Sequence, residues 1–278
     1  MNHYPELEKI HYIILAQKLT RRKNAILRAT YQEVQMRQRK RRERTEGIGL
    51  YSCWERGKPS GCIYCGSTAD TREHVPSKVF LLEPYPDNLP TVPACKECNN
   101  NFSKDEEYVA CCVEVLRSIV NNQTVNEKVR TILNEKPHLC ELVCSQITDN
   151  GSEIELSFDR KRIERILEKM AVCLAGFEFD QLSFSDIQET WFDFATNITE
   201  VFKGKFISPH YSKVFPEISS RFSSDYCTFF ISNHDDAVVL MDWIEVQENQ
   251  FRYQVTVEDD CVSVKMVISE FLFARVLL

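Results

Sequence analysis

Two Cys-x-x-Cys pairs, Cys62/Cys65 and Cys95/Cys98, put the tightest limit on what this chain can fold into. Four thiols in two short-spaced pairs are the usual way to build a closed tetrahedral zinc site. Each pair grips an ion from one tight turn, so a shared ion joins segments about thirty residues apart in sequence. Zinc binding then supplies folding energy where a small apolar core falls short. The expected metal ligands are therefore Cys62, Cys65, Cys95 and Cys98, with Zn²⁺ in a structural role. The competing account is four unrelated buried cysteines in a chain that has 12 of them. Cys53 lies close by but lacks a short-spaced partner, and it is left out of the set.

Between and beside the pairs stand the polar residues that point past a purely structural metal. Glu73 and His74 are adjacent, Asn88 follows in Asp87-Asn88-Leu89, and Asn99 comes straight after Cys98. This stretch resembles the HNH nucleases, whose ββα-metal core carries an acidic residue and a histidine side by side on a strand. A middle Asn then follows in the loop, and a last Asn or His begins the helix after the second cysteine pair. All four positions occur here in that order, over roughly residues 50 to 110.

The resemblance implies that Glu73 and Asn99 hold one divalent cation, Mg²⁺ or Mn²⁺, through hard oxygen ligands. It implies that His74 takes a proton from water, which a neutral imidazole with an ordinary pKa of about 6.5 can do. It gives Asn88 the task of orienting His74 or pinning the loop. Neighbouring strand residues face opposite ways, so Glu73 and His74 have different tasks unless the strand bends. Two departures stand out. Glu replaces the commoner Asp, and Asn99-Asn100-Asn101 is a triple, which leaves Asn100 as an alternative metal ligand. Asn99 is favoured because Cys98, directly before it, is fixed.

Charge is unevenly spread. From Lys18 to Arg44 there are eleven Lys or Arg against Glu33 and Glu43, a net of +9, which leaves −16 on the rest of a chain of net −7. Such asymmetry points to a basic arm that meets polyanions while the bulk stays soluble. A solvated helical connector is the plainer alternative for the arm. MNHYPELEKI has no basic start leading into an apolar core, and no apolar run approaches the ~18 residues of a membrane span. The cysteines outside the two pairs lie in apolar stretches, which fits reduced thiols in a cytoplasmic protein.

The fold class expected is α+β. A basic helical arm (1–49) precedes a zinc-bound ββα-metal module (50–120), and a C-terminal α+β domain (121–278) follows. Within the module, DTREHV reads as a strand, TVPA as a short strand, and a helix starts at Cys98 with Ser103 capping its continuation. Beyond it, VNEKVRTILNE reads as a helix and Pro137 as a break. Ile163, Ile166, Leu167, Met170, Cys173 and Leu174 fall at helical spacing and read as core only. Four alternating runs after Tyr226 read as an antiparallel sheet. His210 and His234 read as loop histidines.

The expected activity is metal-dependent hydrolysis of phosphodiester bonds in DNA, with RNA left open as the substrate. The resemblance points to a prokaryotic setting such as defence against phage or foreign DNA. Two other classes are a zinc-stabilised module that binds nucleic acid without cutting, and a nuclease subunit that acts only with protein partners. The first has no need of Glu73, His74 and Asn99 together.

Overall fold

A computed structural model of the chain describes residues 61–87, 89–150, 154–179, 187–212, 227–231, 237–241, 243–258 and 261–278. The expected basic arm, Cys53, Asn88 and His234 lie outside the described residues. The protein is α+β, and its described strands pair only antiparallel. No described helix is long and apolar enough to cross a membrane.

One helix sits at the centre. Counting helices from the first described, it is α4, Arg160–Phe179. Asp159 opens it, its carboxylate accepting the N–H groups of Lys161 at 3.1 Å and Arg162 at 3.3 Å, as a good N-cap does. The expected apolar stripe, Ile163, Ile166, Leu167, Met170, Cys173 and Leu174, is fully buried. From Met170 to Ala175 every residue is buried, so the helix is apolar all round where neighbours enclose it on every side. Each large aliphatic side chain there contributes roughly 1.5–3 kcal/mol through burial.

One face of α4 packs on a five-stranded sheet of order β5-β12-β11-β10-β9. Its strands are β5 (Glu189–Phe194), β9 (Ile244–Gln247), β10 (Phe251–Glu258), β11 (Cys261–Ile268) and β12 (Leu272–Leu277). On β12, Leu272, Ala274 and Val276 join the core that contains α4, while Phe273 joins a second cluster with Phe206 and Val267. Burial on both faces removes the polar alternation by which a strand is recognised, and this explains why β12 was not expected. The second of the four runs expected after Tyr226 to form one antiparallel sheet, AVVLMDWIEV, divides between two sheets. Its first half, β8 (Ala237–Met241), pairs with β6 (His210–Ser212) and β7 (Cys227–Ile231) in a three-stranded sheet. His210, expected in a loop, therefore lies on a strand.

The other side of α4 meets the cysteine-bearing part of the chain. Strands β1 (Thr71–His74) and β2 (Thr91–Ala94) form an antiparallel hairpin, and α1 (Lys96–Val120) follows at once. Both strands fall where the sequence puts them. Helix α1 starts two residues earlier than expected and runs unbroken. Ser103 is therefore not a cap; its hydroxyl donates to the Asn100 carbonyl at 2.8 Å inside the helix. Beside α1 lie α2 (Glu127–Glu135), capped by the Asn126 side chain, and α3 (Pro137–Ser145). Pro137 does not break the chain but opens α3, where its missing N–H costs nothing. The pair β3 (Ile147–Asp149) and β4 (Ile154–Leu156), a 3-10 turn at Lys78–Phe80 and a short helix α5 (Glu200–Phe206) complete the described elements.

The loop between β1 and β2 is fastened from two directions. The Lys128 ammonium of α2 donates to the carbonyls of Lys78 (2.7 Å) and Leu81 (2.5 Å) and to Tyr85 Oη (2.7 Å). The Gln247 side chain of β9 accepts from Leu82 N–H and donates to its carbonyl, both at 2.8 Å. One apolar core runs through both sides of position 120, uniting Val75, Leu81 and Leu116 with Leu174, Phe251 and Leu272. A cavity at its centre should be felt throughout. Leu174→Ala is expected to lower stability by about 2–5 kcal/mol, read from the urea midpoint. A loss well under 1 kcal/mol contradicts this packing.

Candidate functional site

The site is built on the two cysteine turns. In the first, Cys62 N–H donates to Ser67 O at 2.6 Å and Gly66 N–H to Cys62 O at 2.8 Å. Gly66 holds φ +71, and a Cβ on Gly61 would come within 2.8 Å of the Gly66 carbonyl oxygen. Both places require glycine. The second turn is the start of α1, where Cys95 is the N-cap and its Sγ accepts Cys98 N–H at 3.4 Å. Asp70 Oδ1 accepts Lys96 N–H at 2.8 Å, tying the residue before β1 to the same helix end.

These turns bring the four expected ligands together. The Sγ atoms of Cys62, Cys65, Cys95 and Cys98 all lie within 4.8 Å of one another, and Cys65 and Cys95 are 3.8 Å apart. A tetrahedron with metal–sulfur bonds of about 2.3 Å has edges of about 3.8 Å. Cys62 is buried, Cys65 exposed, and none of the four forms a disulfide. Hydrogen bonds from Ser67 lower the Cys65 thiol to about 6, while burial raises Cys98. Four soft donors at this spacing suit a metal such as zinc.

The hairpin hangs from this cluster. Ile63 N–H donates to Pro93 O at 2.9 Å, and Glu73 pairs with Val92 and His74 with Thr91. Along β1, Arg72 is exposed, Glu73 buried and His74 half-buried, so adjacent residues do face opposite ways. The His74 side chain has no hydrogen bond among the described residues. Burial first, and then the charge of Lys78, lowers its pKa below the ordinary value, which favours the neutral imidazole. Asn99 donates through Nδ2 to Thr71 Oγ1 at 3.4 Å, and Thr71 shares its strand face with Glu73. Asn100 is exposed and lines the same hollow as Cys65, Cys95 and Cys98.

Glu73 is where sequence reasoning and geometry part. Its carboxylate, on a residue 4% exposed, accepts from Lys169 Nζ at 2.7 Å and from Ser77 Oγ at 3.3 Å. The ammonium also bonds Ser77 Oγ at 2.9 Å and Glu106 Oε1. Burial outweighs the Lys169 charge and lifts Glu73 above the usual carboxylate range. Burial opposes the Lys169 charge too, but Glu106 and then Glu73 hold it above the ordinary lysine value. An enclosed, ion-paired carboxylate does not fit an open Mg²⁺ or Mn²⁺ ligand.

Lys169, Ser77 and Glu106 were not anticipated. One signal was available, since Lys169 interrupts the apolar run of α4 between Leu167 and Met170. It belongs to a row of cations on that helix. Arg162 and Arg165 reach Asp105 at 2.7 and 2.5 Å, and Arg165 and Lys169 both lie over the Phe102 ring. Compared with family models, with curated proteins and with solved structures, the chain finds no match.

The thiol cluster makes its own prediction. The purified chain should carry about one metal ion on this ligand count, and Cys95→Ser should lose it and melt at a lower temperature, because metal binding and folding are coupled. Elemental analysis with thermal unfolding reads both. Equal metal content in Cys95→Ser contradicts the assignment.

Proposed function

We propose that the chain is a nuclease that hydrolyses phosphodiester bonds in DNA, with zinc held by Cys62, Cys65, Cys95 and Cys98 and with His74 as the general base. The observation that carries this reading is the His74 imidazole. It stands on β1, half-buried, with its pKa lowered by burial and by the charge of Lys78, and without a hydrogen bond among the described residues. A neutral imidazole so held is able to take a proton from water. The water oxygen then bonds to phosphorus as its proton passes to His74, the bond from phosphorus to the leaving oxygen breaks, and that oxygen takes a proton from solvent. Exposed Arg72 and Lys78, the second of which acts electrostatically on His74, supply positive charge for the phosphate.

The resemblance to HNH nucleases supports the same reading and adds a divalent cation. Glu73, enclosed by Lys169, does not fit that role, so no step is assigned to the cation. The enclosure favours a second reading, a zinc-stabilised module that binds nucleic acid without cutting it. Action as one subunit of a larger defence assembly is compatible with either.

Incubation of the full chain with supercoiled plasmid, in Mg²⁺, Mn²⁺ or EDTA, separates the readings. The nuclease converts plasmid to nicked or linear form, and His74→Ala lowers the rate by about 10²–10⁴-fold, the usual scale for a lost general base. Binding without conversion in every condition establishes the second reading. Conversion at an unchanged rate by His74→Ala removes the mechanism.

A further inference from the structure

The Lys169 ammonium is the most enclosed charge among the described residues, on a residue 1% exposed. Its three oxygen partners come from three parts of the chain. Glu73 is on β1, Ser77 is in the turn after it, and Glu106 is on α1. Lys169 itself is on α4, 96 residues from Glu73 in sequence. Replacing a buried ion pair with well-packed apolar residues is often neutral or favourable for stability. What such a pair supplies instead is position, because an ammonium with three fixed acceptors admits little displacement.

Position is what the neighbouring residue needs. The His74 side chain has no hydrogen bond of its own among the described residues, so the imidazole stands where the backbone of β1 and the packing around the half-buried ring put it. Strand β1 has four residues and pairs with β2, and a two-stranded hairpin is at best marginally stable. Its buried face is tied down by the Thr71 contacts to Ala94 O and Asn99 and by the Glu73–Lys169 pair.

We propose that Lys169 is a positioning residue for the hydrolysis assigned to His74: by holding Glu73, Ser77 and Glu106 at one point, its ammonium fixes the strand that carries the base. This rests on the nuclease reading. The ammonium is enclosed and bonded to three protein oxygens, and acts through the single peptide link between residues 73 and 74. It also makes α4 part of the working site, although α4 lies far beyond the cysteine-bearing stretch in sequence.

The test uses the full chain. Lys169→Met should reduce kcat on plasmid by about 10²-fold, the scale of a base misplaced by 1 Å, with KM changed less than about twofold, and Lys169→Arg, which keeps the cation, should recover part of it. Lys169→Met leaves two carboxylates without their cation and stability falls, so the double variant Lys169→Met/Glu106→Gln restores the charge balance. A positioning role predicts that the double variant regains thermal stability but not kcat. Recovery of both shows that the ammonium is only structural and overturns the proposal.

A readout independent of cleavage separates this proposal from the reading beneath it. The NMR signals of the His74 imidazole should be single and sharp in the parent chain, and shifted or broadened in the double variant at equal metal content. If the parent chain does not cut but these signals move, the nuclease reading fails and the positioning survives. Unmoved signals overturn the positioning, whatever the plasmid result.

Discussion

A hairpin of two four-residue strands has too few contacts of its own to stay in place, yet here such a hairpin carries Glu73 and His74. Everything of functional interest depends on what holds it. At one end, four thiols join the turn before β1 to the start of α1. Across its buried face, Lys169 reaches over from α4. From the loop side, Lys128 and Gln247 fasten residues 78–85. The strand is thus placed from outside, by groups far away in sequence.

One apolar core joins the cysteine-bearing stretch to the sheet beyond it. Helix α4 gives one face to the five-stranded sheet and the other to α1 and β2. From Met170 to Ala175 it is apolar all round, and its N-terminal half presents Arg162, Arg165 and Lys169 to Asp105, Glu106 and Glu73. At the join, Tyr64 of the first cysteine turn donates to or accepts from Cys173 Sγ at 3.2 Å, and Ile63 lies against Gly176. The sheet behind α4 therefore acts as the rigid base of the candidate site, the kind of support a precise catalytic geometry requires.

What was legible in the sequence was local or periodic. The thiol set could be read because two-residue spacing within each pair already fixes a turn, and the apolar stripe of α4 because its period is that of a helix. The hairpin strands followed from the short β-rich runs around Glu73 and Thr91. What could not be read depended on partners distant in sequence or on burial from both sides. Glu73 looks like an open ligand until Lys169, 96 residues on, is brought to it. Strand β12 hides its period because Phe273 is buried on the face opposite Leu272 and Ala274. Pro137 breaks a helix in general but starts one when it occupies the first turn, a difference set by the chain around it.

One metal ion on four thiols is expected to tie the turn before β1 to the start of α1 and so to hold the hairpin that carries His74. X-ray absorption at the zinc edge of the purified full chain tests it most directly, because that measurement counts the atoms bound to the ion and gives their distances. The account predicts four sulfur neighbours at about 2.3 Å and no nitrogen or oxygen neighbour. Fewer than four sulfurs, or a mixed set with light atoms, would contradict it.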